Sequence, residues 1–241
     1  MQHKTRGIVL HTMPYSDRFA IVRMFTEEFG PVSYLVPQSK SRTSKTPRSL
    51  FFPLAILDIE VVHHNLRDIH QLKEARLSLS LPSLYTHPVK NTICIFIAEF
   101  ISKVIRDIQP DKLLFNFLVQ SLKILELTDK GYANFHLVFA IRLTRFLGFY
   151  PDSGSYETGA FFDMQNGVFT HKMPLHNHFL YREESHGLSL LLRMNYENMH
   201  RFRLSGSQRT IIINKAVEYY RLHLAYFPEL KSLEVLSEVF T

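Results

Sequence analysis

Apolar and polar positions follow two different rhythms along this chain. Up to about residue 80 they alternate in short runs, and beyond Pro82 the apolar positions fall three and four apart. The first rhythm predicts strands over residues 5–13, 18–26, 31–36, 54–62 and 68–79. Turns separate them at Tyr15-Ser16-Asp17, at Glu27-Glu28-Phe29-Gly30, where Gly30 can supply a positive φ, and at His63-His64-Asn65-Leu66. Pro37 closes the third strand. Five short strands in so small a space predict a closed barrel of the five-stranded Greek-key type, the OB-fold.

The second rhythm predicts helices. Pro88 opens one with an apolar stripe of Ile93, Phe96, Ile97, Phe100, Ile101 and Val104. Another starts at Pro110. A third spans 133–147 through Leu137, Ile141, Thr144 and Phe146, with Gly148 as its C-cap. A long helix is expected over 208–227 with Ser207 as N-cap, and a short one over 230–240. Residues 150–186 fit neither rhythm and read as an irregular insertion, in which 159–163 and 168–170 pair across Asn166-Gly167 as a hairpin. The expected fold class is α+β, multi-domain: an OB-fold barrel over 1–80 and a helical domain over 81–241, with the insertion at about 150–186.

Charge changes this picture by its placement. The net charge is +6. Residues 1–80 hold eleven Lys and Arg against seven Asp and Glu, and residues 81–241 hold seventeen against fifteen. Four of the cations, Lys40, Arg42, Lys45 and Arg48, fall in the acid-free run Pro37-Gln-Ser-Lys-Ser-Arg-Thr-Ser-Lys-Thr-Pro-Arg-Ser49, interleaved with hydroxyls. A mobile cationic loop leaving a β module suits a nucleic-acid backbone; the bland alternative is a solvated basic linker. Arg6, Arg18 and Arg23 on the first two strands are candidates to extend the groove, and Tyr34 and Phe25 to stack unpaired bases, with core packing the competing role for both rings. Nothing in the loop offers the ordered bidentate geometry that reads bases.

Other classes find less support. The single cysteine, Cys94, lies in an apolar run and reads as a buried small hydrophobe, so neither a disulfide nor a multi-cysteine metal site is available. Residues 1–20 lack the features of a secretory leader, and no apolar run is long enough to cross a bilayer, so no membrane association and a cytoplasmic location are expected. The thirteen histidines raise a metal-dependent hydrolase, through His63-His64 or the cluster His171, His176, His178 and His186. No His-Glu-x-x-His, nucleophile elbow or phosphate-cradling glycine loop accompanies them. A structural adaptor whose barrel binds protein is the remaining alternative. No catalytic residue, metal or cofactor is assigned.

Several motifs in a consistent order resemble the RecO family of bacterial recombination mediators. They are Gly7-Ile-Val-Leu10, Tyr15-Ser16-Asp17, Phe25-Thr26-Glu27-Glu28-x-Gly30, the basic segment 38–48, Phe146-Leu-Gly-Phe-Tyr-Pro151 and Leu230-Lys-Ser232. Where family members carry a Gly-Ala-Arg core, this chain has Gln38-Ser39-Lys40, and the two zinc-binding cysteine pairs of many relatives are missing from 151–159. An unmetallated loop held by packing is therefore expected. The resemblance implies binding of single- and double-stranded DNA and annealing of complementary strands, including strands coated by single-strand binding protein. It also implies loading of RecA with the partner RecR, in a cytoplasmic, nucleoid-associated setting. It further implies recognition of the acidic, hydrophobic tail of single-strand binding protein, for which Arg142, Arg145, Phe146 and Phe149 on one helix are the candidates, weighed against an ordinary amphipathic helix.

Overall fold

Strand β1 (Gln2–Pro14) is long enough to serve two neighbours. Its first half pairs antiparallel with β4 (Ile56–Val62), from Gln2 to Ile8. Its second half pairs with β2 (Phe19–Thr26), from Gly7 to Pro14, with a register shift between Val9 and His11. That irregularity lets one strand bend from one sheet edge to the other. β2 pairs with β3 (Gly30–Pro37), β4 with β5 (Ile69–Leu79), and a short parallel contact of β3 with β5 closes the barrel in the order β1-β2-β3-β5-β4. This is the expected OB-fold barrel, seen in a computed structural model that describes residues 2–37, 44–63, 67–106 and 108–239.

Inward positions follow the period of two. Val9, Val22, Met24, Tyr34, Val36, Leu57, Ile59, Val61 and Leu72 fill the barrel. Gly30 takes φ +66°, as its turn requires, and a Cβ there would lie 3.2 Å from the backbone nitrogen of Pro110.

Among the described residues there are seven α-helices. α1 (Ser83–Thr86), α2 (Pro88–Val104) and α3 (Lys112–Leu127) belong with the barrel in one compact unit, Met1–Leu127. The predicted α2 stripe is buried throughout, and Cys94 with it, where burial pushes the thiol up to about 12. Asp111 caps α3, its Oδ1 accepting from Leu113 N at 2.8 Å and Leu114 N at 3.0 Å. The Glu126 carboxylate accepts from Ser83 N, Leu84 N and the Ser83 hydroxyl. Buried Lys90 donates to the Glu126 carbonyl at 2.7 Å and to Ser83 Oγ at 2.9 Å. One helix start and one helix end are thereby satisfied together.

The second unit, Thr128–Thr241, is built around α4 (Phe135–Leu143), of which only Arg142 is not buried. Around it lie α5 (Arg182–Arg193), α6 (Gly206–His223), α7 (Ser232–Val239) and a small sheet of β6 (Phe161–Asp163), β7 (Val168–Thr170) and β8 (Phe179–Leu180). The expected hairpin is β6–β7, with Gly167 at φ +69°. The insertion is held by its own apolar cluster of Ala160, Phe162, Met164, Phe169, Leu180 and Tyr219. α5 and β8 carry no counterpart in the sequence reading. The N-cap of α6 is Ser205, in a reciprocal capping box with Gln208, in place of Ser207. α4 stops four residues short of the predicted 147. The Thr144 hydroxyl takes up the Ile141 carbonyl at 2.6 Å, and the chain continues in tighter i→i−3 turns. Gly148 at φ +83° ends them, as predicted, with Phe149 N bonded to the Thr144 carbonyl in a Schellman pattern.

His136 is wholly buried in α4, and burial followed by the nearby Arg209 charge pulls its imidazole down to about 3. The unfolded chain therefore binds more protons between about pH 6.5 and 3, so stability is full above that window and falls as pH drops into it. We expect about 2 kcal/mol to be lost between pH 7 and 5 from this residue. Urea unfolding of wild type and His136→Leu at both pH values checks this: the variant should lose much less.

Candidate nucleic-acid interface

The β2–β3 register places Phe19 opposite Pro37, so the basic run leaves the barrel beside the β1–β2 turn. Lys40 and Arg42 lie outside the described residues. The second half of the run is pinned down. The Lys45 carbonyl accepts from Ala75 N on β5 at 2.9 Å, Thr46 is buried, and a 3-10 turn spans Arg48–Leu50. Lys45 and Arg48 thus project from fixed backbone, where the sequence predicts a mobile loop. The Lys45 ammonium stands 3.8 Å from Glu74 with its side chain 78% exposed. Glu74 is engaged more closely by Arg76 at 2.6 Å, and that bond first, with the charge of Arg76, holds its carboxyl below the ordinary range. Arg48 is exposed, forms no ion pair with any described residue, and lines a hollow of about 70 Å³ with Thr12, Pro14, Ala20 and Pro37. Arg18 is exposed at the same rim and is likewise in no ion pair among the described residues.

Two expected groove cations belong elsewhere. Arg6 makes a two-pronged bond to Glu27, both contacts 2.9 Å, and sits over the Phe115 ring at 5.2 Å. It faces a hollow shared with Glu27, Glu28, Asp58, Glu60 and Glu74, a field that repels phosphate. Half-buried Arg23 donates to the Arg106 carbonyl at 3.4 Å. Both stacking candidates are corrected too. Tyr34 is 0% exposed inside the barrel, its hydroxyl 3.0 Å from His63 Nε2, and burial holds its phenol well above the ordinary range. Phe25 is also 0% exposed and lies 6.0 Å from the Phe115 ring of α3. The rings that do reach solvent at this rim are Tyr15 and Phe19, 63% and 36% exposed. Tyr15 had a signal, a ring inside a predicted turn and outside the alternation that marks core positions, whereas Phe19 opens the predicted strand 18–26 and had none.

In the second unit, Arg142 ends α4, while Arg145, Phe146 and Phe149 fall past it, so the four are not on one helix. Arg142 lies over the Tyr196 ring at 5.6 Å, and its buried Nε has no hydrogen-bond partner among the described residues. Exposed Arg145 lies 4.1 Å over Tyr150. Phe149 is committed to the fold. It stacks on His223 at 4.9 Å and meets Tyr219 and Tyr220 edge-on, and its carbonyl accepts from the Tyr219 hydroxyl at 2.8 Å. An apolar cavity of about 120 Å³ opens instead among Ile141, Met164, Leu191 and Ile211, with Lys215 and Glu184 in its lining.

The histidines divide among separate partners. His171 meets Glu157 at 2.7 Å, His176 meets Asp163 at 3.3 Å, and His186 meets the Tyr156 hydroxyl at 2.8 Å. No group of three metal-ligating side chains is assembled among the described residues, and none of their helices is long and apolar enough to cross a membrane.

A closed five-stranded barrel of this order, followed by helices, places the chain in the OB-fold class, whose members bind oligonucleotides or oligosaccharides. The family model described as Recombination protein O N terminal matches residues 1–80, and that described as Recombination protein O C terminal matches residues 86–234. The chain belongs to the RecO family of DNA repair proteins. It is 48% identical to the DNA repair protein RecO of Azobacteroides pseudotrichonymphae, 42% to that of Phocaeicola vulgatus and 32% to that of Flavobacterium johnsoniae, each match covering 100% of both chains.

Since Arg6 ties β1 to the β2–β3 turn and to α3, Arg6→Ala should lower stability by about 1 kcal/mol. A urea midpoint shifted down with an unchanged slope is the expected reading. A midpoint equal to wild type would show the pair to be worth nothing.

Proposed function

We propose that this chain binds and anneals single-stranded DNA, including strands coated by single-strand binding protein, and with RecR assists RecA loading in recombinational repair. It does so as a mediator and not as an enzyme, in the bacterial cytoplasm at the nucleoid. The observation that carries this reading is that Lys45 and Arg48 project from fixed backbone at the end of an acid-free run, and that Arg18 precedes Phe19, which pairs with Pro37 where that run leaves the barrel. Lys40 and Arg42 complete the set of phosphate clamps on this reading. Each neutralises a phosphate and releases its counterion. Screening repulsion between two strands while leaving base edges open favours their pairing, and double strands are held by the same charges with little sequence preference.

Recognition of the acidic tail of single-strand binding protein is proposed for the second unit. The half-buried Arg142, the exposed Arg145 and the half-buried Phe146 support it, as cations beside an apolar ring. Phe149 is left out, since its ring is already packed. The candidate histidines of a metal-dependent hydrolase are engaged otherwise: His171 with Glu157, His176 with Asp163 and His178, His186 with Tyr156, and His63 stacked on His70.

With about four phosphate contacts, log affinity for a labelled single-stranded oligonucleotide should fall against log salt with a slope of roughly −3. Replacing Lys40, Arg42, Lys45 and Arg48 together by Ala should bring the slope close to zero and abolish annealing. Fluorescence anisotropy across a salt series measures the first, and strand annealing with and without single-strand binding protein measures the second. Binding indifferent to salt, or to the fourfold change, counts against the reading.

A further inference from the structure

The β1–β2 turn carries a feature that the phosphate clamps do not use. Tyr15, 63% exposed, and Phe19, 36% exposed, stand on the two stems of one tight turn, with Met13 next to them at 42% exposed. The turn is fixed by its backbone. Tyr15 N and Ser16 N both donate to the Phe19 carbonyl at 3.0 Å, and Phe19 N donates to Ser16 Oγ at 3.2 Å and to the Ser16 carbonyl at 3.3 Å. Tyr15 is therefore presented to water from a fixed turn, with the partly exposed Phe19 paired beside it. Exposed apolar groups collected in one place and rimmed by charge mark a contact surface.

The surroundings choose the partner. Phe19 lies across the ladder from Pro37, the residue from which the cationic run departs, and Pro14 shares a hollow with Pro37 and Arg48. Arg18 lies between the rings in sequence, and Asp17 is the one acid between residues 10 and 26. Aromatic faces set among cations suit a polyanion that carries flat apolar faces of its own, which is a strand with unpaired bases. In duplex DNA those faces are stacked inside and out of reach. We propose that Tyr15 and Phe19 form a stacking platform for unpaired bases, distinct from the phosphate clamps, which biases this rim toward single strands over duplex. The proposal rests on the DNA-binding reading above and assigns to that rim its preference for strand state.

Because the chain contains no tryptophan, Tyr15→Trp introduces a single indole at the platform while keeping a π face. Titration with an unlabelled thymidine oligonucleotide, followed by indole emission, runs in parallel with anisotropy of a labelled strand. Emission should be quenched in step with the anisotropy rise on single strands, and far less on a blunt duplex of equal length. The double variant Tyr15→Ala, Phe19→Ala should lower the ratio of single-strand to duplex affinity at least about fivefold. Its salt slope should match wild type, since no charge is removed. Both residues are exposed, so the variants should fold, and a urea midpoint close to wild type checks that. Rising anisotropy with flat indole emission overturns the platform and leaves the clamps standing. So does equal weakening of single-strand and duplex binding in the Ala variant. A wild-type chain that leaves anisotropy flat on every DNA overturns the underlying reading, and the platform with it.

Discussion

Closure of the barrel is the constraint on which the first unit depends. β1 pairs with β4 through its first half and with β2 through its second, and its ladder with β2 slips between Val9 and His11, where the strand can bend. β3 meets β5 through three residue pairs, Ser33 with Ile69, Tyr34 with His70 and Leu35 with Gln71. Without that short parallel contact β3 and β5 would each leave an open edge of unpaired backbone. With it, Tyr34 is enclosed and its hydroxyl finds His63, which is what makes a buried phenol tolerable. Closure also decides which loops meet. The β1–β2 turn and the exit of β3 share one rim because β2 and β3 pair through to Phe19 and Pro37.

That geometry sorts the charges. The hollow between β1, β4 and β5 collects five carboxylates against Lys4, Arg6 and Arg76. Arg48 lies away from that hollow, in a small one with Pro14 and Pro37, while Lys45 stands between the two, its ammonium 3.8 Å from Glu74, which Arg76 holds more closely. Arg6 and Arg48 are the same residue type, and a charge count over residues 1–80 treats them alike. Their neighbours separate them. Arg6 is drawn into a two-pronged bond with Glu27 and a ring contact with Phe115, while Arg48 is left facing water.

Much of the first unit was legible in the sequence, because two-residue alternation bounded by Pro and Gly leaves few alternatives. The five predicted strands fall on the observed ones within three residues at each end. Even the inward side of Tyr34 was readable, since it shares its parity with Val36. What alternation does not carry is contact over long separations, and the roles of Arg6, Arg23 and Phe25 depend on partners in α3 or near the end of α2. In the second unit the apolar stripe of α4 was plain, but its end was set by one hydroxyl, that of Thr144, turning back on the Ile141 carbonyl. α5 was missed because Arg-Glu-Glu-Ser-His-Gly opens it without an apolar face and with a glycine inside. Ser205 caps α6 in place of Ser207 because Gln208 stands three positions after it and completes the capping box.

On the proposed reading, the rim poses a physical conflict whose resolution bears on how strands are brought together. An annealing surface has to hold a strand and yet surrender its bases to a complement. Phosphate clamps satisfy both demands, because charge screening does not compete with base pairing. Aromatic stacking competes directly, since a base on a ring is not in a duplex. Rings confined to one turn at this rim would limit the conflict to the few bases that pass Tyr15 and Phe19, while the cations of the run would act on the remainder. The conflict then becomes a directional bias. A strand still unpaired would gain the ring contact and the finished duplex would forfeit it, so on this reading the product is held less tightly than the substrate.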